Sequence, residues 1–248
     1  MLSTIRAATG SAYVTSIADS PEQIRAARQL LRRVFADGRG APLGAPPVEP
    51  GADSVDDPAD HLVVTDTATG EVVGACPLLP LGRAEASRSA TEFDLGGLAA
   101  VRSSTIEADG CCVHPDYRRG AVISLLWSGV LRYTLLSGGR YLAGRASVPL
   151  DDGGRAASHA WRLGAADDTA PAAYRVRPYR PWTPPGAFRE EPDYAVLPPL
   201  LRGHLRLGAW MCGAPAHDPE SGVADFFVLL DMNRLSGRYR RYLLGETP

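Results

Sequence analysis

The spacing of apolar residues near the start of the chain predicts an amphipathic helix. Apolar side chains recur every three or four positions, at Ile24, Ala27, Leu30, Leu31, Val34 and Phe35. This period is typical of a helix with one buried face. The helix is predicted to begin at Ser20-Pro21-Glu22, because serine caps a helix, proline fits its first turn and an acid favours the positive end of its dipole.

Runs of β-branched and aromatic residues between Gly and Pro clusters predict the strands. They lie at 61–66, 71–79, 102–113, 141–148, 208–212 and 224–230. Further helices are predicted around 92–98, from Gly120 to about Leu136, at 151–163, 199–205 and 234–243. The order of these elements predicts one α/β (α+β) domain over residues 1–248, with an N-terminal extension at 1–19 and long loops at 37–60 and 165–193.

Composition is that of an ordinary globular protein. The 248 residues are 45% hydrophobic and 22% charged, with a net charge of −2, which excludes a disordered chain, a collagen-like fibre and a coiled coil. The net charge also argues against a nucleic-acid partner. Every basic residue is arginine, a bias that a GC-rich genome explains.

The four cysteines, at 76, 111, 112 and 212, form no CxxC pair. Their spacing indicates neither a metal site nor a disulfide framework. The chain begins without the apolar core of a signal peptide, and its longest apolar stretch, 121–136, is too short and too polar to span a bilayer. These features predict a cytoplasmic protein and leave a peripheral contact with a membrane open.

The chemically informative stretch is EADGCCVHPDYRRG, residues 107–120. A strand that ends in Val-His-Pro and leads through Tyr-Arg-Arg-Gly into a helix exposes backbone N–H groups at the helix N-terminus. Such groups bind a phosphate or pyrophosphate, and Arg118 and Arg119 would add charge-assisted contacts.

The stretch VHPDYRRGAVISLLW resembles the acyl-donor motif of the GNAT N-acyltransferase superfamily, Val-x-Pro followed by an Arg-x-x-Gly-x-Gly/Ala loop and a helix. Within that superfamily, E-x-x-x-x-C-V-x-P-x-Y-R resembles the long-chain N-acyl amino acid synthases, which include ornithine acyltransferases and are related to acyl-homoserine lactone synthases. QIRAARQLLRRVFADGRGA, GRASVP and LPPLLRGHLRLGAWMCGAPAHDPESGVADFFVLL are similar to further segments of that branch.

The resemblance implies a mixed, mostly antiparallel sheet flanked by helices, and it implies roles for several residues. Glu107 would bind or deprotonate the acceptor amine, with Asp109 as the alternative, and Ser147 would donate to the acceptor or the pantetheine arm. Backbone donors from Val113 would face the thioester oxygen. The pantetheine phosphate would lie on the loop Arg118, Arg119, Gly120, Ala121 and Val122.

The chain departs from the family pattern at two positions. Gly110 stands where the family has an arginine three residues after the strand glutamate, and Ala121 stands where the loop has its first glycine. His114 is expected to face solvent, Cys111 and Cys112 to be small buried residues, and Trp127 to lie in the core. The stretch 174–182, which interleaves arginines with aromatics, suits either a cover over an acyl chain or a plain ordered loop.

The resemblance implies an N-acyltransferase that moves a long-chain acyl group, with a 3-hydroxylated chain left open, to the α-amine of an amino acid, ornithine first. The donor would be a phosphopantetheine thioester on acyl carrier protein or coenzyme A, without a tightly bound cofactor or metal. Carrier proteins are acidic, and Arg118, Arg119, Arg132 and Arg140 would form the facing surface. The alternatives are an acetyl-CoA-dependent acetyltransferase, an acyl-homoserine lactone synthase and an inactive acyl- or carrier-binding module.

Overall fold

The computed structural model describes residues 12–36, 58–118, 121–166, 170–186 and 188–241. The helices are α1 (Pro21–Ala36), α2 (Ala121–Leu136), α3 (Arg155–Ala166), α4 (Pro199–Leu207) and the short α5 (Gly237–Tyr239). The strands are β1 (Tyr13–Ile17), β2 (Asp60–Asp66), β3 (Val72–Leu79), β4 (Phe93–Asp94), β5 (Thr105–Ala108), β6 (Cys112–Val113), β7 (Tyr141–Pro149), β8 (Arg177–Pro178), β9 (Trp210–Met211), β10 (Ala216–Asp218) and β11 (Val223–Asp231).

Nine of these strands form one sheet with the order β1-β2-β3-β5-β7-β11-β10, in which β6 also pairs with β3 and β9 with β11. The pairing of β5 with β7 is parallel and the other pairings are antiparallel. The predicted mixed, mostly antiparallel sheet is therefore confirmed. A separate ribbon of β4 and β8 lies off the main sheet.

Helices cover the sheet on both faces because its strands carry apolar residues on alternating sides. Leu62 packs in the cluster that contains the buried side of α2, whereas its neighbour Val63 packs with α1. On β7, Ala146 and Val148 pack with α3 and α4. Tyr141 and Ala143, on the opposite face of β7, pack with Phe93 and the segments around the ribbon.

Several predicted elements differ from those observed. The helix expected at 92–98 is instead β4 and a single 3-10 turn at Gly96–Leu98, because Phe93 is fully buried and pairs with Pro178 across the ribbon. The strand expected at 102–113 is divided into β5 and β6. Part of the expected N-terminal extension pairs with β2 as β1. That residues 1–248 form one domain stays a prediction.

The cysteines also depart from expectation. Cys76 and Cys111 are joined in a disulfide, which the sequence did not indicate because the two residues lie 35 positions apart. They meet because β5 and β6 both pair with β3, which brings the residues between them against that strand. Cys112 and Cys212 are free and buried, as small core residues should be.

Within the ranges that the structure describes, every helix falls short of the length and apolar character needed to cross a membrane.

Candidate active site

The central feature of the sheet is a pair of parallel strands that separate. β5 and β7 are in register from Thr105 opposite Tyr141 to Glu107 opposite Ala143. After Ala108 the chain turns at Gly110, whose φ of 73° is a conformation that glycine adopts without strain. β6 then pairs with β3, whereas β7 continues along β11. A gap therefore opens between β6 and the second half of β7.

The backbone of Val113 faces this gap. His114 donates its N–H to the Val73 carbonyl at 2.9 Å, so the neighbouring Val113 belongs to the narrow, non-hydrogen-bonded type of antiparallel pair with Gly74. In such a pair the N–H and C=O groups point away from the partner strand. The N–H of Val113 thus points toward β7, where it can donate to an atom bound in the gap.

A mostly apolar cavity of about 420 Å³ fills the gap and extends beneath α2 and α4. Its volume lies in the range of ordinary ligand pockets, roughly 300–1,000 Å³. Its walls come from the strands β5, β6, β7 and β11, the apolar side of α2 and α4. The lining residues include Val113, Arg118, Ile123, Leu126, Trp127, Ser147, Pro198, Leu200 and His204.

The loop before α2 lies at one end of this cavity. His114 accepts a hydrogen bond from the Asp116 N–H, and Arg118 lines the cavity. Ala121 begins α2 at the surface, whereas the Val122 side chain is buried in the core, so Val122 could reach a ligand only through its backbone. Arg119 and Gly120 lie outside the described residues.

One histidine lies in the cavity wall. His204 Nδ1 is 3.0 Å from the Leu200 carbonyl one helical turn earlier, and its ring meets Trp127 edge-on with centroids 4.7 Å apart. Burial lowers the pKa of His204 to about 4, since the apolar surroundings disfavour the charged imidazolium. The side chain is therefore neutral at pH 7, with Nδ1–H donating to Leu200.

Glu107 is buried on the face of the sheet opposite α2. Its Oε1 accepts hydrogen bonds from the Ser89 N–H at 2.9 Å and the Ser89 hydroxyl at 2.8 Å. Burial is the main reason that the pKa of Glu107 is raised, and Asp109 adds to this effect. Glu107 borders a small cavity of about 40 Å³ and is absent from the described lining of the large one.

A buried arginine forms ion pairs with carboxylates that lie beside Glu107. Arg145 donates to Asp109 at 2.7 Å and to Glu92. Its side chain is 3% exposed and that of Asp109 is 4% exposed. Two residues farther along β7, on the same face, the Ser147 hydroxyl donates to Asp225, which lies opposite it on β11. We call Glu92, Asp109, Arg145 and Asp225 the acidic cluster.

Burial shifts the pKa of two carboxylates in the acidic cluster. It raises the pKa of Glu92 to about 7, against the opposing attraction of Arg145. It also raises the pKa of Asp225, again against Arg145. Carboxyl groups whose pKa lies near 7 can exchange protons at physiological pH, a property common at catalytic and binding sites.

The structure brings together some of the predicted site residues and adds others. Val113, Arg118 and Ser147 share the large cavity, whereas Glu107 and Asp109 lie behind it on the other face. Arg145 and Asp225 were not predicted to be site residues, although each interrupts an otherwise apolar strand, YLAGRASVP and VADFFVLLD. A charge in the middle of such a strand is rarely buried without a partner, and this signal could have identified both.

Three expectations about other residues need correction. The stretch 174–182 supplies none of the residues that line the described part of the large cavity; it pairs with β4 instead. Trp127 packs on the core but also lines the cavity. Arg140 pairs with Asp231 at 2.9 Å beyond the far end of α2, a helix of 16 residues or about 24 Å, so it lies away from the loop that holds Arg118.

The splayed parallel strands, the loop leading into a helix and the cavity between them define an N-acyltransferase of the GNAT class. Residues 30–128 match the family model described as an acetyltransferase (GNAT) domain. The loading GNATL domain of CurA from Lyngbya majuscula shares the fold, with a TM-score of 0.53 at 11% identity over 90% of this chain and 99% of that one.

Two curated relatives refine this assignment. The chain is 32% identical to an L-ornithine N(alpha)-acyltransferase of Rhizobium meliloti (strain 1021), over 92% of this chain and 83% of the relative. It is 31% identical to a protein of the same name from Brucella abortus (strain 2308), over 93% and 88%. The chain belongs to the L-ornithine N(alpha)-acyltransferase family.

Proposed function

We propose that the enzyme transfers a long-chain acyl group from a phosphopantetheine thioester to the α-amine of ornithine. The observation that carries this proposal is the apolar cavity of about 420 Å³ that continues from the strand gap beneath α2 and α4. An acetyl group would leave most of this volume empty, whereas an acyl chain would bury apolar surface throughout it. The ornithine acceptor follows the names of the relatives.

The donor thioester would lie with its carbonyl in the gap. The Val113 N–H donates to the carbonyl oxygen as negative charge develops there, which lowers the barrier to addition. The pantetheine phosphate would lie at the N-terminus of α2, on Arg118 and the backbone of Ala121 and Val122, while the contacts predicted for Arg119 and Gly120 fall outside the described residues. We favour acyl carrier protein over coenzyme A as the carrier, because an acidic partner complements the arginines beside this loop.

The acceptor amine would attack from the face that bears Glu107. The ammonium first gives a proton, through bridging water, to Glu107, whose raised pKa makes it a better proton acceptor than an ordinary carboxylate. The neutral nitrogen then forms a bond to the carbonyl carbon, the C–S bond breaks, and the departing thiolate takes up a proton as the amide forms. The Ser147 hydroxyl donates a hydrogen bond to Asp225, so its oxygen can accept a hydrogen bond from the amine and orient it.

The product would be an amphiphile that has to leave an apolar cavity. Ile123 lines that cavity and is also 39% exposed, so it marks an apolar edge of the opening. We place peripheral membrane contact at this edge. Cosedimentation with phosphatidylglycerol vesicles tests it, and Ile123→Glu should reduce the bound fraction.

Transfer assays with purified enzyme test the main proposal. The enzyme is incubated with ornithine and either palmitoyl-acyl carrier protein or palmitoyl-CoA, and the amide is located on the α- or side-chain nitrogen by mass spectrometry. We expect Glu107→Gln to lower kcat by roughly 10²–10⁴-fold, the usual contribution of a proton acceptor. The exposed Glu191→Gln should leave kcat unchanged. Wild-type enzyme that acylates no α-amine with either donor would overturn the proposal.

A further inference from the structure

The acidic cluster holds more negative than positive charge. Glu92, Asp109 and Asp225 lie around one guanidinium, that of Arg145, which forms the ion pairs described for Glu92 and Asp109. Asp225 is 1% exposed and is hydrogen-bonded by the neutral Ser147. Buried carboxylates in excess of their cations are costly, so the site favours either protonation or the arrival of another cation.

Three polar atoms of the cluster also lack hydrogen-bond partners among the described residues. They are Oδ1 of Asp109, Nε of Arg145 and Oε2 of Glu92. Asp109 and Arg145 are both more than nine-tenths buried. Because a buried polar atom without a partner costs about 1–3 kcal/mol, two unpartnered carboxylate oxygens beside the proposed acceptor site point to a ligand that donates hydrogen bonds.

An organic cation fits these carboxylates better than a metal ion. Within the described residues, no group of three or more His, Cys, Asp and Glu side chains converges as a metal site would require. The hydrogen bonds to Arg145 and Ser147 already take up one oxygen on each of the three carboxylates. An ammonium group can be held by two oxygens, and the unpartnered Oδ1 of Asp109 and Oε2 of Glu92 supply two.

We propose that the acidic cluster binds the side-chain ammonium of the acceptor amino acid and so selects diamino acids. This inference rests on the proposed acylation of an α-amine beside Ser147. Ser147 and Arg145 lie two residues apart on one face of β7, a separation of roughly 6.5 Å along a strand. That separation is comparable to the extended length of the α-carbon and three methylene groups that lie between the two nitrogens of ornithine.

The test compares ornithine with norvaline, which has the same carbon chain without the side-chain amine. The probes are these two amino acids with one acyl donor, and the readout is the ratio of their kcat/KM values. Wild-type enzyme should prefer ornithine by at least about tenfold, because a site built to pair a polar group rejects the analogue that lacks it. Glu92→Gln, which keeps an oxygen to accept from Arg145, should lower this ratio mainly through KM for ornithine.

Asp109→Asn, which also keeps an oxygen to accept from Arg145, should lower the same ratio, whereas Glu191→Gln should leave it at the wild-type value. The ratio does not depend on the amount of folded enzyme, so a loss of stability cannot imitate a loss of selectivity. Wild-type enzyme that acylates both amino acids equally well, or variants that slow both by the same factor, would overturn the inference and leave the proposed function standing. Wild-type enzyme that acylates neither would overturn both.

Discussion

The carbonyl oxygen of Ala108 lies so close to Gly144 that a Cβ built on Gly144 would stand 2.4 Å from it. Real Cβ atoms essentially never approach backbone this closely. The contact falls where β5 ends and the paired strands begin to separate. It therefore fixes the narrow end of the gap into which Val113 directs its N–H, and a glycine is required for the strands to meet there.

Gly144→Ala is expected to damage both stability and catalysis. Overpacking a filled core typically costs about 1–3 kcal/mol, and here the group that must move is backbone. Separating the strands would also shift the donors of the gap, so kcat should fall by more than the loss of folded enzyme explains. Urea unfolding and transfer assays at matched folded fractions measure the two effects.

Gly186→Ala is the matched control, because nothing lies within 4 Å of a Cβ at that position. It should leave stability and kcat close to wild type. Full activity in a stable Gly144→Ala enzyme would mean that the narrow end of the gap does not control the site.

Filling the large cavity should shorten the acyl chain that the enzyme accepts. Leu200 lines the cavity at the start of α4, so Leu200→Trp would occupy part of the volume assigned to the chain. We expect transfer from palmitoyl donors to fall by about tenfold or more, since lost burial costs about 0.8 kcal/mol per methylene, while transfer from butyryl donors persists. Leu136→Trp, at a residue that is 63% exposed, serves as the control. Equal losses for both chain lengths would contradict the assignment of the cavity to the acyl chain.

The buried His204 should make the protein less stable in acid. Its pKa is about 4 when folded, compared with 6.5 for an ordinary histidine, so between these values the unfolded chain binds the extra proton. Stability is therefore complete above pH 6.5 and falls as the pH drops toward 4. The loss from this one group is about 3 kcal/mol, at 1.36 kcal/mol for each pKa unit.

Unfolding free energies of wild type and His204→Phe, measured from pH 7.5 to 4, isolate this contribution. The variant is expected to be less stable at pH 7.5, because it lacks the bond to Leu200, yet to lose less stability on acidification. His217→Phe, at an exposed histidine, should follow the wild-type curve. Parallel curves for wild type and His204→Phe would mean that His204 is not held neutral by burial.

Local sequence patterns predict the parts of the fold that depend on local physics. The helix α1 and the hairpin of β2 and β3 follow from periodicity and turn residues, whereas the mixed sheet follows from the family resemblance. The pairing of Phe93 with Pro178 joins residues far apart in sequence, and no local pattern specifies it. The disulfide between Cys76 and Cys111 likewise depends on a shared partner strand.

The residues of the candidate site also differ in whether a local sequence pattern specifies them. Val113 and the loop from Arg118 could be predicted because they form one contiguous motif. The charges in apolar strands mark Arg145 and Asp225 one by one, but the meeting of Glu92, Asp109, Arg145 and Asp225 could not be predicted, because they come from four separate segments. The structure explains how the chain can have glycine at position 110, where the family has an arginine. Asp109 pairs with Arg145 of the neighbouring strand, so a guanidinium reaches this region from β7.

The raised pKa of Glu92 has a consequence for stability that is opposite in sign to that of His204. The folded protein holds a proton on Glu92 up to about pH 7, compared with 4.5 for an ordinary glutamate. The folded state therefore binds more protons between these values, and its stability falls as the pH rises through them. Glu92→Gln removes this loss. Because the Glu92 side chain is 24% exposed and solvent screens part of the shift, we expect a difference of about 1 kcal/mol, so the variant should match wild type near pH 4.5 and melt about 2–4 °C higher at pH 8.

Thermal unfolding at both pH values, with Glu191→Gln alongside, measures the difference. Ornithine should reverse this difference in Tm between wild type and Glu92→Gln. An ammonium bound in the acidic cluster stabilises the ionised carboxylate of wild type but not the amide of the variant. Saturating ornithine should thus raise the Tm of wild type more at pH 8 than at pH 6, and raise that of Glu92→Gln less at either pH. Equal Tm values without ligand at pH 8 would show that Glu92 is already ionised at no cost, and the cluster would then need no second cation.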